Sequence, residues 1–200
     1  MVTLSIKTDF KDVDRQLRKL SSDLQLKFIP AALNKIIAKT NTLMAREISG
    51  EFNIAQKDVR SRLRIIRAKR DFASFTASLD PYALGRRGRS LNLIRFLEKS
   101  VSLAEGRRRK NNQSQSQLRF QIKLSGGKKT IAGAFIANRG RTVFVREGKA
   151  RTPIKALSTI DVPQMFNTKR IQSVVLKKID ADLVIEFDRA IKAAIAGNIR

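Results

Sequence analysis

Apolar residues in the first third of the chain recur every three or four positions, the spacing of one helix face. A short alternating stretch, TLSIK, reads as a strand. Behind Thr8 or Asp9, either of which can cap a helix, Phe10, Val13, Leu17, Leu20 and Leu24 form an apolar stripe. The other face carries Lys11, Asp12, Arg15, Arg18 and Lys19. The stripe breaks at Phe28-Ile29-Pro30, and Pro30 suits the first turn of a second helix, where its missing N–H is not needed. Leu33, Ile36, Ile37, Thr40, Leu43, Met44, Ile48 and Phe52 give that helix a broad apolar face, with Gly50 at its frayed end. After the loop FNIA, the stretch QKDVRSRLRII predicts a third helix of about two turns. Val59, Leu63 and Ile66 line one side of it, while Arg60, Arg62, Arg64 and Arg67 crowd the rest.

From residue 68 the period shifts towards two. FASFTASL and SLNLIRFL read as strands, with Pro81, Gly85 and Gly88 in the turn between them. Residues 98–117 lose the apolar pattern and read as a mobile basic loop or hairpin tip. LRFQIKL alternates again at Leu118, Phe120, Ile122 and Leu124, and SGGKK supplies a glycine turn. TIAGAFIA and TVFVRE then pair across the basic turn NRGR as an antiparallel hairpin. From Asn167 a long helix runs to the end, with Leu176, Ile179, Leu183, Phe187, Ile191 and Ile195 on one face. Helices, then strands, then a helix predict an α+β fold: an antiparallel β-sheet with N-terminal helices and a long C-terminal helix packed on one face. The expected layout is a single domain, mainly helical over 1–67, mainly β over 68–166 and helical over 167–200.

Composition changes this picture in one respect. The 200 residues suit one domain, and a hydrophobic content of 42% is that of a globular chain. The charge is far from average: 42 Lys+Arg against 17 Asp+Glu leave +25, with a sequence pI near 11.4. Solubility needs much less than this, so the surplus points to a polyanionic neighbour. Cysteine and histidine are both absent, which excludes disulfides, thiol chemistry, His-based acid–base catalysis and the commonest metal ligand. Glu98, Glu105, Glu147 and Asp161 are scattered, and no glycine cluster matches a P-loop. No enzyme activity, cofactor or metal is expected. No apolar run approaches the ~18 residues that span a bilayer, and MVTLSIKTDF has no secretory-signal pattern, so synthesis in the cytoplasm without membrane contact is expected.

The densest charge lies in GRRGR (Arg86, Arg87, Arg89) and GRRRK (Arg107, Arg108, Arg109, Lys110). Guanidinium groups on such loops can fork onto phosphate oxygens, and glycine lets the backbone come close. The plainer reading is a pair of solvated loops. Neither cluster contains an aromatic residue for base stacking, and no zinc-finger spacing or helix-turn-helix is visible. Contact with nucleic acid would therefore be electrostatic and steeply salt-dependent.

Two stretches carry a resemblance. ALNKIIAKTNTLMAREISGEFNIAQKDVRSRLRI (32–65) and IAGAFIANRGRTVFVREGKARTPIKALSTIDVPQMF (131–166) together resemble the minor tail protein Z family of lambda-like tailed phages and prophages. The matching features, in order, are A-L-N-K, K-D-V-R-S-R-L, G-A-F-I, V-F-V-R-E, P-I-K-A-L and V-P-Q-M-F. They cover roughly residues 30–170; SSDLQLKF and the 98–117 loop depart from the pattern. The resemblance implies a virion component that completes the tail at its head-proximal end. It implies a homo-oligomeric ring, hexameric by analogy with tail architecture, that meets tail-terminator, tail-tube or head-neck proteins and genomic double-stranded DNA. Within such a ring the basic loops would face phosphates, and Phe135, Phe144, Pro153, Ile154, Pro163, Met165 and Phe166 would make assembly contacts. Pro153 and Pro163 each hold the preceding residue extended, and Pro163 can open a helical turn carrying Met165 and Phe166. The alternative for these residues is that they close the domain's own sheet. The alternative for the whole chain is a free, non-specific nucleic-acid-binding protein.

Overall fold

A computed structural model of the chain describes residues 22–69, 78–80, 90–98 and 118–196. Two long helices form its frame: α1 (Ser22–Glu51) and α4 (Lys169–Ile195). On α1 the buried residues Phe28, Ile29, Ala32, Ile36, Ile37, Thr40, Met44, Ala45 and Ile48 follow helical spacing. On α4 the buried face is Ile171, Val175, Ile179, Leu183, Phe187, Ala190 and Ile191. The helices pack antiparallel along these faces, as their cross-links show. Lys39 pairs with Glu186 midway along α1, and Arg170 pairs with Glu47 and Glu51 at its C-terminal end.

The sequence pattern predicts a helix start at Pro30, whereas α1 begins at Ser22 and carries Pro30 buried in its interior. An interior proline costs a hydrogen bond and a ring clash, ~3 kcal/mol or more. Burying Phe28 and Ile29 beside it, each roughly 1.5–3 kcal/mol, offsets that cost.

The predicted third helix is also shorter. Helix α2 covers Gln56–Arg60 only, and the chain then turns into β1 (Arg64–Ile66), which pairs antiparallel with β2 (Ser78–Asp80). Ile65 lies opposite the buried Leu79, a partner that local periodicity cannot reveal. SLNLIRFL is a 3-10 turn (Leu93–Phe96) rather than a strand. Asn92 caps it by accepting from the Ile94 N–H at 3.1 Å, and Leu91, Leu93 and Phe96 enter the core. In LRFQIKL only β3 (Arg119–Phe120) is strand, paired with β4 (Lys129–Thr130). Beyond it the backbone bonds to the end of α1 instead: Asn53 N–H donates to the Ile122 carbonyl at 2.8 Å, and Leu124 N–H to that of Glu51 at 2.9 Å.

The predicted hairpin is present as β5 (Phe135–Ala137) and β6 (Thr142–Arg146), and β7 (Ile154–Ala156) adds a third antiparallel strand beside β6. The fold is α+β, with the strands distributed over three small antiparallel sheets among the described residues. Helix α3 (Val162–Phe166) follows. Its Asp161 cap accepts from the Gln164 N–H at 3.0 Å, and the Gln164 side chain accepts from the Asp161 N–H at 3.2 Å.

Two asparagines stand in for strand partners. Asn34 on α1 donates to the Ala68 carbonyl (3.1 Å) and accepts from the Ala68 N–H (2.8 Å), tying the chain after β1 to the helix. Asn92 accepts from the Val143 N–H (2.9 Å) and donates to the Val143 carbonyl (3.3 Å), pinning β6 beside the 3-10 turn. The TLSIK strand, the Phe10–Leu20 stripe and the loop after Glu98 lie outside the described residues.

Candidate interaction surface on the basic sheet

The β5–β6–β7 sheet has two unlike faces. Cross-strand partners share a face, and successive residues alternate. Ile136 and its partner Val143 point inward, and Val143 is fully buried against the core. Phe135, Phe144, Ala156, Arg146 and Ile154 share the other face through the pairs Phe135↔Phe144, Phe144↔Ala156 and Arg146↔Ile154. The rings of Phe135 and Phe144 stack with centroids 6.1 Å apart and planes at 28°. The Arg146 guanidinium sits 5.2 Å from the Phe135 centroid, a cation–π contact worth about 0.5–1 kcal/mol at an exposed position. Ile154 is 43% exposed at the sheet edge.

The turn of the hairpin aims charge outward. Asn138 and Arg139 both have φ of 53°, Gly140 has φ of 82°, and the Arg141 N–H closes the turn on the Asn138 carbonyl at 3.1 Å. Asparagine and glycine tolerate this left-handed geometry, and it projects Arg139 and Arg141 into solvent. Arg146, Lys149, Arg151 and Lys155 are likewise exposed, against the single carboxylate of Glu147. None of these six cations forms an ion pair among the described residues. Elsewhere the pattern differs: Arg95 pairs with Asp58, Lys128 with Glu98, Lys123 and Arg170 with Glu51. A second run of exposed cations, Lys57, Arg60, Arg64, Arg67 and Lys69, surrounds α2 and β1. Both runs can meet a polyanion through side chains not already committed to internal carboxylates. Among the described residues, no three metal-ligating side chains come together and no helix is long and apolar enough to cross a membrane.

The residues singled out in the sequence separate into three groups. Phe135, Phe144 and Ile154 come together on the outer sheet face, with Pro153 exposed next to it. Pro163, Met165 and Phe166 are buried within the chain's own core between α1 and α4, where their surface serves internal packing. Arg86, Arg87, Arg89, Arg107, Arg108, Arg109 and Lys110 lie outside the described residues. The cations at Arg139 and Arg141 were visible in the sequence as the basic turn NRGR. What the sequence did not show is that Arg146 and Arg151 meet at the other end of β6, where the Arg146 guanidinium donates to the Arg151 carbonyl, with Lys155 opposite Val145, because that clustering depends on β7 pairing with β6.

Neither a curated relative nor a solved structure matches the chain. A family model described as prophage minor tail protein Z (GPZ) matches residues 10–196, nearly the whole chain and including the sheet, both long helices and the α3 turn. The chain therefore belongs to the prophage minor tail protein Z family, a family of phage tail structural proteins.

Proposed function

We propose that this protein completes the head-proximal end of the phage tail, assembling as a ring and touching the genome end through backbone phosphates without reading its sequence. Membership of a minor tail protein family supports a structural virion role over catalysis. The observation that carries the DNA contact is the run of exposed cations on the β5–β7 sheet, none paired with a carboxylate among the described residues. A ring of six chains would hold about +150 of formal charge, which DNA, counterions or acidic tail-terminator, tail-tube or head-neck neighbours must screen for the ring to close.

Disruption of the gene in a phage that carries it, followed by electron microscopy of the particles, tests this reading. Separate heads and tails, or tails of abnormal length, are the expected result. Fully infectious particles of normal form would overturn it and leave a free nucleic-acid-binding role in its place.

A further inference from the structure

Among the described residues, two surfaces stand without an internal partner, and they complement each other. The first is the outer face of α4. At 100° per residue the core-facing positions centre on Ile179 and Glu186, and the opposite side carries Lys177, Asp180, Val184 and Asp188. Val184 is 57% exposed, and its neighbour Ile185 is also exposed. Asp180 and Asp188 stand one turn to either side of Val184. With Glu147, these are the carboxylates in the exposed class among the described residues whose exposure is defined. Asp188 is held only by Lys192 at 2.8 Å, a surface pair that exchanges easily. The second surface is the outer face of β5–β6–β7, an apolar centre of Phe144 and Ile154 bordered by Arg146 and Arg151.

Charge decides how they combine. Two sheet faces brought together would oppose arginine with arginine, a costly arrangement on a chain of +25. Two α4 faces brought together would form a closed two-fold pair and leave both sheet faces uncovered. An α4 face against a sheet face places apolar on apolar and two carboxylates beside guanidinium, with Lys177 two turns before Val184 at the rim.

We infer that the outer face of α4 in one copy docks on the outer face of β5–β6–β7 in the next, with Val184 and Ile185 against Phe144 and Ile154, and Asp180 and Asp188 facing Arg146 and Arg151. Such a contact is heterologous: each copy uses one face and offers the other, so repetition closes a ring where the rotation allows. The inference deepens the ring assembly proposed above and rests on it for closure. It also divides the basic surface, giving Arg146 and Arg151 to the neighbouring copy and leaving Arg139 and Arg141 at the turn for DNA.

The test is sedimentation velocity of the purified full-length chain at ~0.15 M salt, where the Debye length is about 8 Å. The unmodified chain should form species larger than a dimer as concentration rises. Val184→Asp breaks the helix face and Ile154→Asp the sheet face; each alone should associate roughly tenfold more weakly or worse. Mixed in equal amounts, the two variants should form dimers and nothing larger, because each retains one intact face. Circular dichroism melts check that both fold, and Asp188→Lys replaces Val184→Asp if that variant does not. A monomeric unmodified chain, a variant that associates normally, or a mixture without dimers would each overturn the contact. The experiment contains neither DNA nor phage, so its failure would leave tail completion to be judged by the particle images alone.

Discussion

Lys39 on α1 reaches across the helix pair to Glu186 on α4, its Nζ 2.7 Å from Oε1 of a carboxylate that is only 3% exposed. Arg189, one turn along, donates to the same oxygen at 2.8 Å. The hydrogen bond from Lys39 is the main cause that holds the Glu186 carboxyl below the ordinary glutamate range; burial opposes it, and the Lys39 and Arg189 charges add to it. A carboxylate with a depressed folded pKa stabilises the fold above its unfolded pKa, and that contribution is lost as pH falls through the folded value. Lys39→Met should therefore destabilise by about 1 kcal/mol near neutral pH, because Lys39 is half exposed and Arg189 remains. Urea titrations at decreasing pH should show the two chains converging below the ordinary glutamate range. A gap that persists unchanged in acid would mean that Lys39 acts by packing and not by charge.

Met165 and Ile154 make a second contrast, since both came from one proline-bounded stretch of sequence. Met165 has no exposed surface and sits between the long helices, so Met165→Ala should cost about 2–5 kcal/mol through the cavity it leaves. Ile154→Asp at the sheet edge should cost less than ~1 kcal/mol. Denaturant midpoints of the two variants measure the difference. Equal losses would mean that the edge of β7 is not the solvent-facing surface described above.

The capping box at α3 gives a third. Asp161→Ala removes the acceptor for the Gln164 N–H and should destabilise by about 1 kcal/mol, whereas Asp161→Asn keeps an acceptor and should retain most of that. Because α3 is a single short turn, a weakened cap should also loosen Met165 and Phe166. Hydrogen exchange at the amides of Met165 and Asn167 reads this out, since both donate within the turn, to Asp161 and Pro163.

Asn92 is the least obvious residue in the fold. Its carboxamide satisfies both backbone groups of Val143 and the Ile94 N–H. Asn92→Ala strands the Val143 and Ile94 amides in a partly buried setting, while the Val143 carbonyl keeps the Leu157 N–H at 2.9 Å, and should cost about 2–3 kcal/mol. The amide of Val143 should lose exchange protection first. Retention of that protection would show that water replaces the side chain without penalty.

These cases explain what could be read from the sequence. The β5–β6 hairpin was legible because short runs rich in β-branched and aromatic residues flank a turn with Asn138 and Gly140 in place. The C-terminal helix was legible from its period, although Leu176, expected inward, lies exposed on the flank of α4. Elements built on distant partners were not legible. Ile65 is strand because it meets Leu79, the residues after Phe120 bond to the end of α1, and Asn92 acts through a bond to Val143. Periodicity is a local signal, and each of these is a tertiary substitution for local structure. The same limit applies to the site. The sequence marked the aromatic strands and the basic turn, but that Phe144 lies on the outer face while Val143 is buried follows only from which side of β6 packs against the 3-10 turn.

The DNA contact makes the last prediction. If Arg139 and Arg141 at the hairpin tip each meet a phosphate, binding to a duplex of arbitrary sequence releases one counterion for each. The double variant Arg139→Ala, Arg141→Ala should then weaken binding at low salt and flatten the log–log dependence of affinity on salt by about 2. Both side chains are exposed on a turn, so the fold should be unaffected. Fluorescence anisotropy of a labelled duplex over a salt series measures the slope. A reduced affinity with an unchanged slope would assign the loss to something other than phosphate neutralisation. An unchanged affinity would move the DNA contact away from this turn, to the cations around α2 and β1, where Arg60→Ala and Arg64→Ala would be the next pair to alter the slope.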